Sequence, residues 1–72
     1  MPKVKTWIGS KPVCDFCGVE EPAIFMDAKC VTGQWAIMCP VCFEQYGILI
    51  RPGFGQQYKY NVNTKQWEKE AG

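Results

Sequence analysis

Apolar residues along this 72-residue chain fall in short alternating runs broken by turn signals, and only one stretch holds a helical spacing. Residues 23–27 (Ala-Ile-Phe-Met-Asp) and 34–39 (Gln-Trp-Ala-Ile-Met-Cys) read as two short strands. The connection over 28–33 carries Thr32-Gly33 as its turn signal, so the pair predicts a β-hairpin. The period then changes in Cys39-Pro40-Val-Cys42-Phe-Glu-Gln-Tyr46-Gly47. Pro40 suits a first helical position and Gly47 the residue past a helix end, which predicts a helix of about two turns. Phe43 and Tyr46, three residues apart, share one face of it and are expected to pack on the hairpin.

Beyond the helix, Arg51-Pro-Gly-Phe-Gly55 is a turn-rich break. Phosphate-binding loops also use glycines, but they sit between a long strand and a long helix, and neither element precedes or follows this break. Residues 57–62 (Gln-Tyr-Lys-Tyr-Asn-Val) alternate, 63–65 turn, and 66–69 return, predicting a second hairpin with Tyr58 or Tyr60 paired with Trp67. Residues 1–13 hold Lys3, Lys5 and Lys11 without an acid and read as an arm, with Trp7-Ile8 anchoring it to the core. The expected organisation is therefore a basic arm over 1–13, a cysteine-bearing module over 14–50, and a turn with an aromatic hairpin over 51–72.

A chain of this length buries only about 60% of the surface that its unfolded form exposes, and scaffolds so small usually need a staple. The composition supplies one candidate: five cysteines, at 14, 17, 30, 39 and 42. It also lacks histidine, which removes the usual general base near neutral pH and the usual nitrogen ligand of zinc. The longest apolar run, Trp35-Ala-Ile-Met-Cys39, falls far short of the roughly 20 residues of a membrane span. The start, Met-Pro-Lys-Val-Lys, carries no apolar signal region, so a cytoplasmic location is expected.

Cys14-Asp-Phe-Cys17 and Cys39-Pro-Val-Cys42 form two Cys-x2-Cys pairs separated by 21 residues. Each pair turns two sulfurs toward one point, and two pairs complete the closed tetrahedral four-sulfur site that structural zinc prefers. Their separation lies one residue outside the common window of about 15–20. Gly18 fits the sharp turn after the first pair. Disulfides fit poorly with an odd cysteine count and a reducing compartment. A thioredoxin-like pair needs a βαβ context that the chain has no room for. An iron–sulfur cluster uses the same ligands and stays open as an alternative. The expected cofactor is one structural Zn2+ on Cys14, Cys17, Cys39 and Cys42. Cys30 is the leftover, read as a small hydrophobe or loop thiol, with a ligand or reactive role as the sharper alternative.

The order of cysteine knuckle, hairpin, and a second cysteine pair opening a helix resembles the treble-clef zinc fingers over residues 14–47. The resemblance implies a small α+β zinc-stapled domain, treble-clef-like, here with a C-terminal β-hairpin. The runner-up is a zinc ribbon, in which both pairs sit on β-knuckles. Catalytic treble clefs of the nuclease branch carry histidines, which this chain lacks. A narrower likeness, from Trp35 through Cys39, Cys42, Tyr46-Gly47 and Gly53-Phe-Gly55-Gln56-Gln-Tyr58, is similar to small proteins of tailed bacteriophages. It implies a phage-type origin, with the host cytoplasm as its setting.

Charge divides along the same lines. Residues 1–13 sum to +3, residues 14–50 to −4, and residues 51–72 to +2, giving the formal +1. Four thiolates with one divalent cation would take the central module to −6. Such a module repels a phosphate backbone, whose nonspecific affinity comes from lysine and arginine. Direct nucleic-acid binding would fall to the flanks: Lys3, Lys5, Trp7, Lys11, Arg51, Tyr58, Lys59, Tyr60 and Trp67. The same rings can instead form the small core of the second hairpin. The expected function is non-enzymatic: an interaction module docking on a protein partner in host or phage machinery. Nucleic-acid binding through the flanks is the alternative, and no membrane or small-molecule substrate is expected. A closed four-cysteine site leaves no open metal position to activate water.

Overall fold

The computed structural model describes residues 6–72, so Lys3 and Lys5 lie outside the described residues. The alternating runs form strands β1 (Ile24–Lys29), β2 (Trp35–Met38), β3 (Gly55–Asn61) and β4 (Gln66–Ala71), and the helical stretch forms α1 (Pro40–Tyr46). Both expected hairpins are present, and they share one sheet. Its order is β2-β1-β3-β4, antiparallel throughout, because β1 pairs with β3 as well as with β2. The result is a small α+β unit with a four-stranded sheet and one short helix. No helix among the described residues is long and apolar enough to cross a membrane.

Alternation along β1 sends its side chains to two different cores. Met26 and Ala28 point to one face, where they meet Met38, Cys30, Cys14, Cys39 and Cys42, with Ile24, Ala36, Phe43 and Ile50 at the margin. Phe25 points to the other face and is fully buried. There it stacks on Tyr58 at 5.1 Å between centroids and meets Trp7 edge-on at 5.2 Å. Trp67 closes the cluster at 6.4 Å from Phe25, with Tyr60 edge-on against it at 4.7 Å. Cross-strand register explains the stack, since Phe25 and Tyr58 lie directly opposite each other, as do Tyr60 and Trp67.

The arm is anchored, but by one residue of the expected pair. Thr6 bridges Glu68, and the Trp7 amide donates to the Trp67 carbonyl at 2.8 Å, which pairs the arm with the outer edge of β4. With Trp7 turned into the aromatic core, Ile8 turns away and is 88% exposed. Extended backbone alternates its side chains, so both could not face inward.

Helix α1 runs as expected from Pro40, with Cys39 as its N-cap. Gly47 ends it for a reason other than backbone handedness. Its φ is −80°, open to any residue, and its amide donates to the Phe43 carbonyl. A Cβ at position 47 would instead run into the Phe43 ring. Phe43 packs at the core as expected. The Tyr46 ring stacks on Phe16 of the first cysteine pair at 4.6 Å, with both residues partly exposed, while its carbonyl accepts from Val31 N–H of the hairpin connection at 2.8 Å.

Candidate metal centre

The two cysteine pairs reach one point from different elements. Cys14 and Cys17 lie on a tight turn closed by hydrogen bonds from Gly18 N–H to the Cys14 carbonyl (2.9 Å) and from Cys14 N–H to the Val19 carbonyl (3.0 Å). Gly18 sits in that turn at φ +79°, a conformation that side-chain-bearing residues rarely adopt. Cys39 and Cys42 lie at the N-cap and in the first turn of α1, and the Cys39 carbonyl accepts from Phe43 N–H. The second pair therefore sits at the start of a helix.

The four Sγ atoms all lie within 4.8 Å of one another, and Cys17 and Cys39 are 3.7 Å apart. A Zn–S bond of about 2.3 Å sets a tetrahedral S···S edge of about 3.8 Å, so the spacing suits one ion at the centre. All five cysteines are free thiols. Cys14, Cys39 and Cys42 are buried and Cys17 is exposed, which leaves one side of the site in contact with solvent. Cys30 is buried beneath the same core but stands outside the four-sulfur group, consistent with its reading as a small hydrophobe.

The thiols are electrostatically unequal. Burial alone would raise Cys14, but N–H groups of Cys17, Cys39 and Phe16 aimed at its sulfur outweigh it and lower the pKa to about 6. Cys42 is pushed up to about 12, first by burial and then by hydrogen bonding within the sulfur cluster. Cys17 gains from a Val19 N–H, yet its contact with the Cys14 sulfur and the partial loss of water around its own sulfur leave it above the ordinary thiol value. Four neighbouring thiolates repel one another, and a divalent cation at their centre offsets that repulsion. The donor set therefore fits a single soft or borderline metal ion.

Asp15, between the first two ligands, escaped sequence reasoning. Its Oδ2 accepts from the Ile37 amide at 2.8 Å and its own amide donates to the Ile37 carbonyl at 2.8 Å, clipping the first knuckle to the edge of β2. An aspartate is a strong acceptor for backbone N–H groups, but a partner 22 residues away leaves no local signal.

The flanking residues are not gathered into one surface. Lys11 pairs loosely with Glu21 at 3.9 Å. Trp7, Tyr58, Tyr60 and Trp67 belong to the aromatic core around Phe25, and Tyr58 is only 6% exposed, which removes its ring from base stacking. The Trp67 indole N–H is committed to the Pro22 carbonyl at 2.8 Å. Lys59 is exposed and lies opposite Glu68. Arg51 lies away from these rings, over Phe54. No family model, curated protein or solved structure matches this chain, so no relative carries the resemblance to phage proteins.

Proposed function

We propose that this protein is a non-catalytic zinc module whose single structural ion holds together a treble-clef-like knuckle, hairpin and helix, and whose exposed surface docks on a protein partner. The cluster of four Sγ atoms within 4.8 Å carries the metal reading. Zinc is the ion that most often occupies closed tetrahedral thiolate sites, and it contributes roughly 10–16 kcal/mol in comparable small domains. That exceeds the surplus that a core of this size supplies by itself. Free thiols at such a site suit a reducing compartment such as the cytoplasm.

The protein-docking part rests on exposed apolar surface. Phe16, Trp35, Tyr46, Ile48 and Phe54 are each between 38% and 47% exposed, a large share for a chain this small. Burial of Tyr58 and the hydrogen-bonded Trp67 weigh against the nucleic-acid alternative on the C-terminal hairpin.

Native mass spectrometry of the purified protein is expected to show one zinc per chain. Iron at the same site would betray itself by visible thiolate charge-transfer absorption. Chelation is expected to abolish near-ultraviolet circular dichroism. Cys17→Ser should lose the metal, whereas Cys30→Ala should keep it at a cost of about 1 kcal/mol in stability. A protein that keeps its tertiary structure without metal overturns the reading.

A further inference from the structure

We infer that the end of the sheet where Lys29, Trp35, Arg51 and Phe54 meet, with the Leu49 backbone close to Gly55, is a docking face for an acidic, amphipathic segment of another protein. The inference rests on the protein-docking reading above and names the partner's chemistry.

Four side chains there form a linked series. Trp35 of β2 lies directly opposite Lys29 of β1, so their side chains share one face of the sheet. Lys29 Nζ stands 5.6 Å from the centre of the Phe54 ring, and the Arg51 guanidinium stands 5.7 Å from the same centre. The backbone holds them in register: Lys29 N–H donates to the Phe54 carbonyl at 2.8 Å, and Arg51 bridges Gly55. Trp35 is 47% exposed and Phe54 38%, while Ile48 and Leu49 are 46% and 36% exposed.

Charge decides the occupant. Lys29 is the sole cation in residues 14–50, and the single ion pair among the described residues is Lys11–Glu21. Among the described residues no carboxylate stands within 4.0 Å of the Lys29 or Arg51 cation; each faces the Phe54 ring instead. Two unneutralised cations set among exposed aromatic and aliphatic side chains complement a segment that alternates carboxylates with large apolar residues. A nucleic-acid strand fits less well. Trp35 and Phe54 could each stack on a base, but two phosphate contacts give a salt slope of only about −1.4 on single strands, a small electrostatic share for a nucleic-acid site.

The test uses the zinc-loaded full chain, its metal content verified by native mass spectrometry. Three fluorescein-labelled probes are titrated: a peptide of alternating glutamate and leucine, its lysine-for-glutamate counterpart, and an oligo-deoxythymidine. The glutamate peptide is expected to bind best, with NMR shift changes centred on residues 29, 35, 51 and 54. Trp35→Ala should weaken it about tenfold, and the double variant Lys29→Glu, Arg51→Glu should abolish binding while zinc stays bound. Lys29→Gln serves as a second variant should the double charge reversal fail to fold, and it should weaken binding without touching the metal. Absence of glutamate-peptide binding, equal binding by the variants, or preference for the lysine peptide or the oligonucleotide overturns the inference. Failure of the metal reading looks different, because the chain would then lack zinc or stay folded without it, whereas a protein partner that binds with unchanged strength to the Trp35→Ala and charge-reversal variants would keep the docking reading and overturn only this face.

Discussion

At the scale of single residues, Asp27 has an environment that its neighbours in sequence do not announce. It sits in the middle strand pair of the sheet, between Ile37 and Gln56, half-buried. Burial, and secondarily the charge of Asp15, raise its carboxyl above the usual range. Between the ordinary carboxyl pKa and the raised one, the folded protein therefore holds a proton that the unfolded chain has already released. Stability attributable to this group falls as pH rises from the ordinary carboxyl pKa through the raised one, and the penalty is complete above it. Asp27→Asn removes the penalty. A higher melting temperature is expected for the zinc-loaded variant at pH 7, with the gain shrinking as the pH is lowered toward the carboxyl range while zinc remains bound. An unchanged or lower melting temperature at pH 7 counts against this account. The alternation of 23–27 was legible as a strand, but the two-sided enclosure of Asp27 depends on β3, which lies far along the chain.

At the scale of elements, the helix and hairpins were readable because their signals are local: Pro40 at a helix start, Thr32-Gly33 and 63–65 at turns, and alternating apolar positions between them. Boundaries moved by a residue or two, as when the first strand ran on to Lys29 and the third began at Gly55. What was not readable is how elements grip one another across sequence. Asp15 shows this best, since its two hydrogen bonds to Ile37 fasten the first cysteine turn to the free edge of β2. Asp15→Ala should cost about 1 kcal/mol, the net worth of a solvent-accessible hydrogen bond, and should speed exchange of the Ile37 amide proton. Asp15→Asn keeps an acceptor oxygen and should retain most of the stability. Equal losses in the two variants, by denaturant midpoint, would show that charge rather than the clip matters. Tyr46 carries the same lesson: helical spacing placed it beside Phe43, but its stacking on Phe16 depends on the first knuckle lying against the helix, which no local signal announces.

At the scale of the whole molecule, the metal centre and the aromatic cluster occupy opposite faces of one sheet, so β1 feeds both. Met26 and Ala28 serve the sulfur side and Phe25 the aromatic side. Proton competition at the sulfur side sets the pH behaviour. Cys17 and Cys42 both titrate above the ordinary thiol value, so at neutral pH each must release a proton when a cation binds. Metal affinity is therefore expected to fall as pH falls, by at least about 100-fold per unit below pH 8 for two displaced protons. A competitive chelator titration between pH 6 and 8 measures the slope. A slope near zero would mean that the thiols are already ionised before the metal arrives.

Residue types and their spacing by themselves determined the four candidate metal ligands, the helix start and the two hairpins. Each of these depends on chemistry confined to a few neighbouring residues. Sequence also supplied the charge division, which needs only counting. The tertiary structure decided which side chains share a surface. Fusing the hairpins through β1 and β3 enclosed Tyr58, set Trp67 against Phe25 and Tyr60, and left Trp35 and Phe54 exposed beside Lys29 and Arg51. Strand register across a sheet is set by long-range packing, and a slip of one residue would turn a strand's side chains, such as Tyr58 and Tyr60 of β3, to the other face.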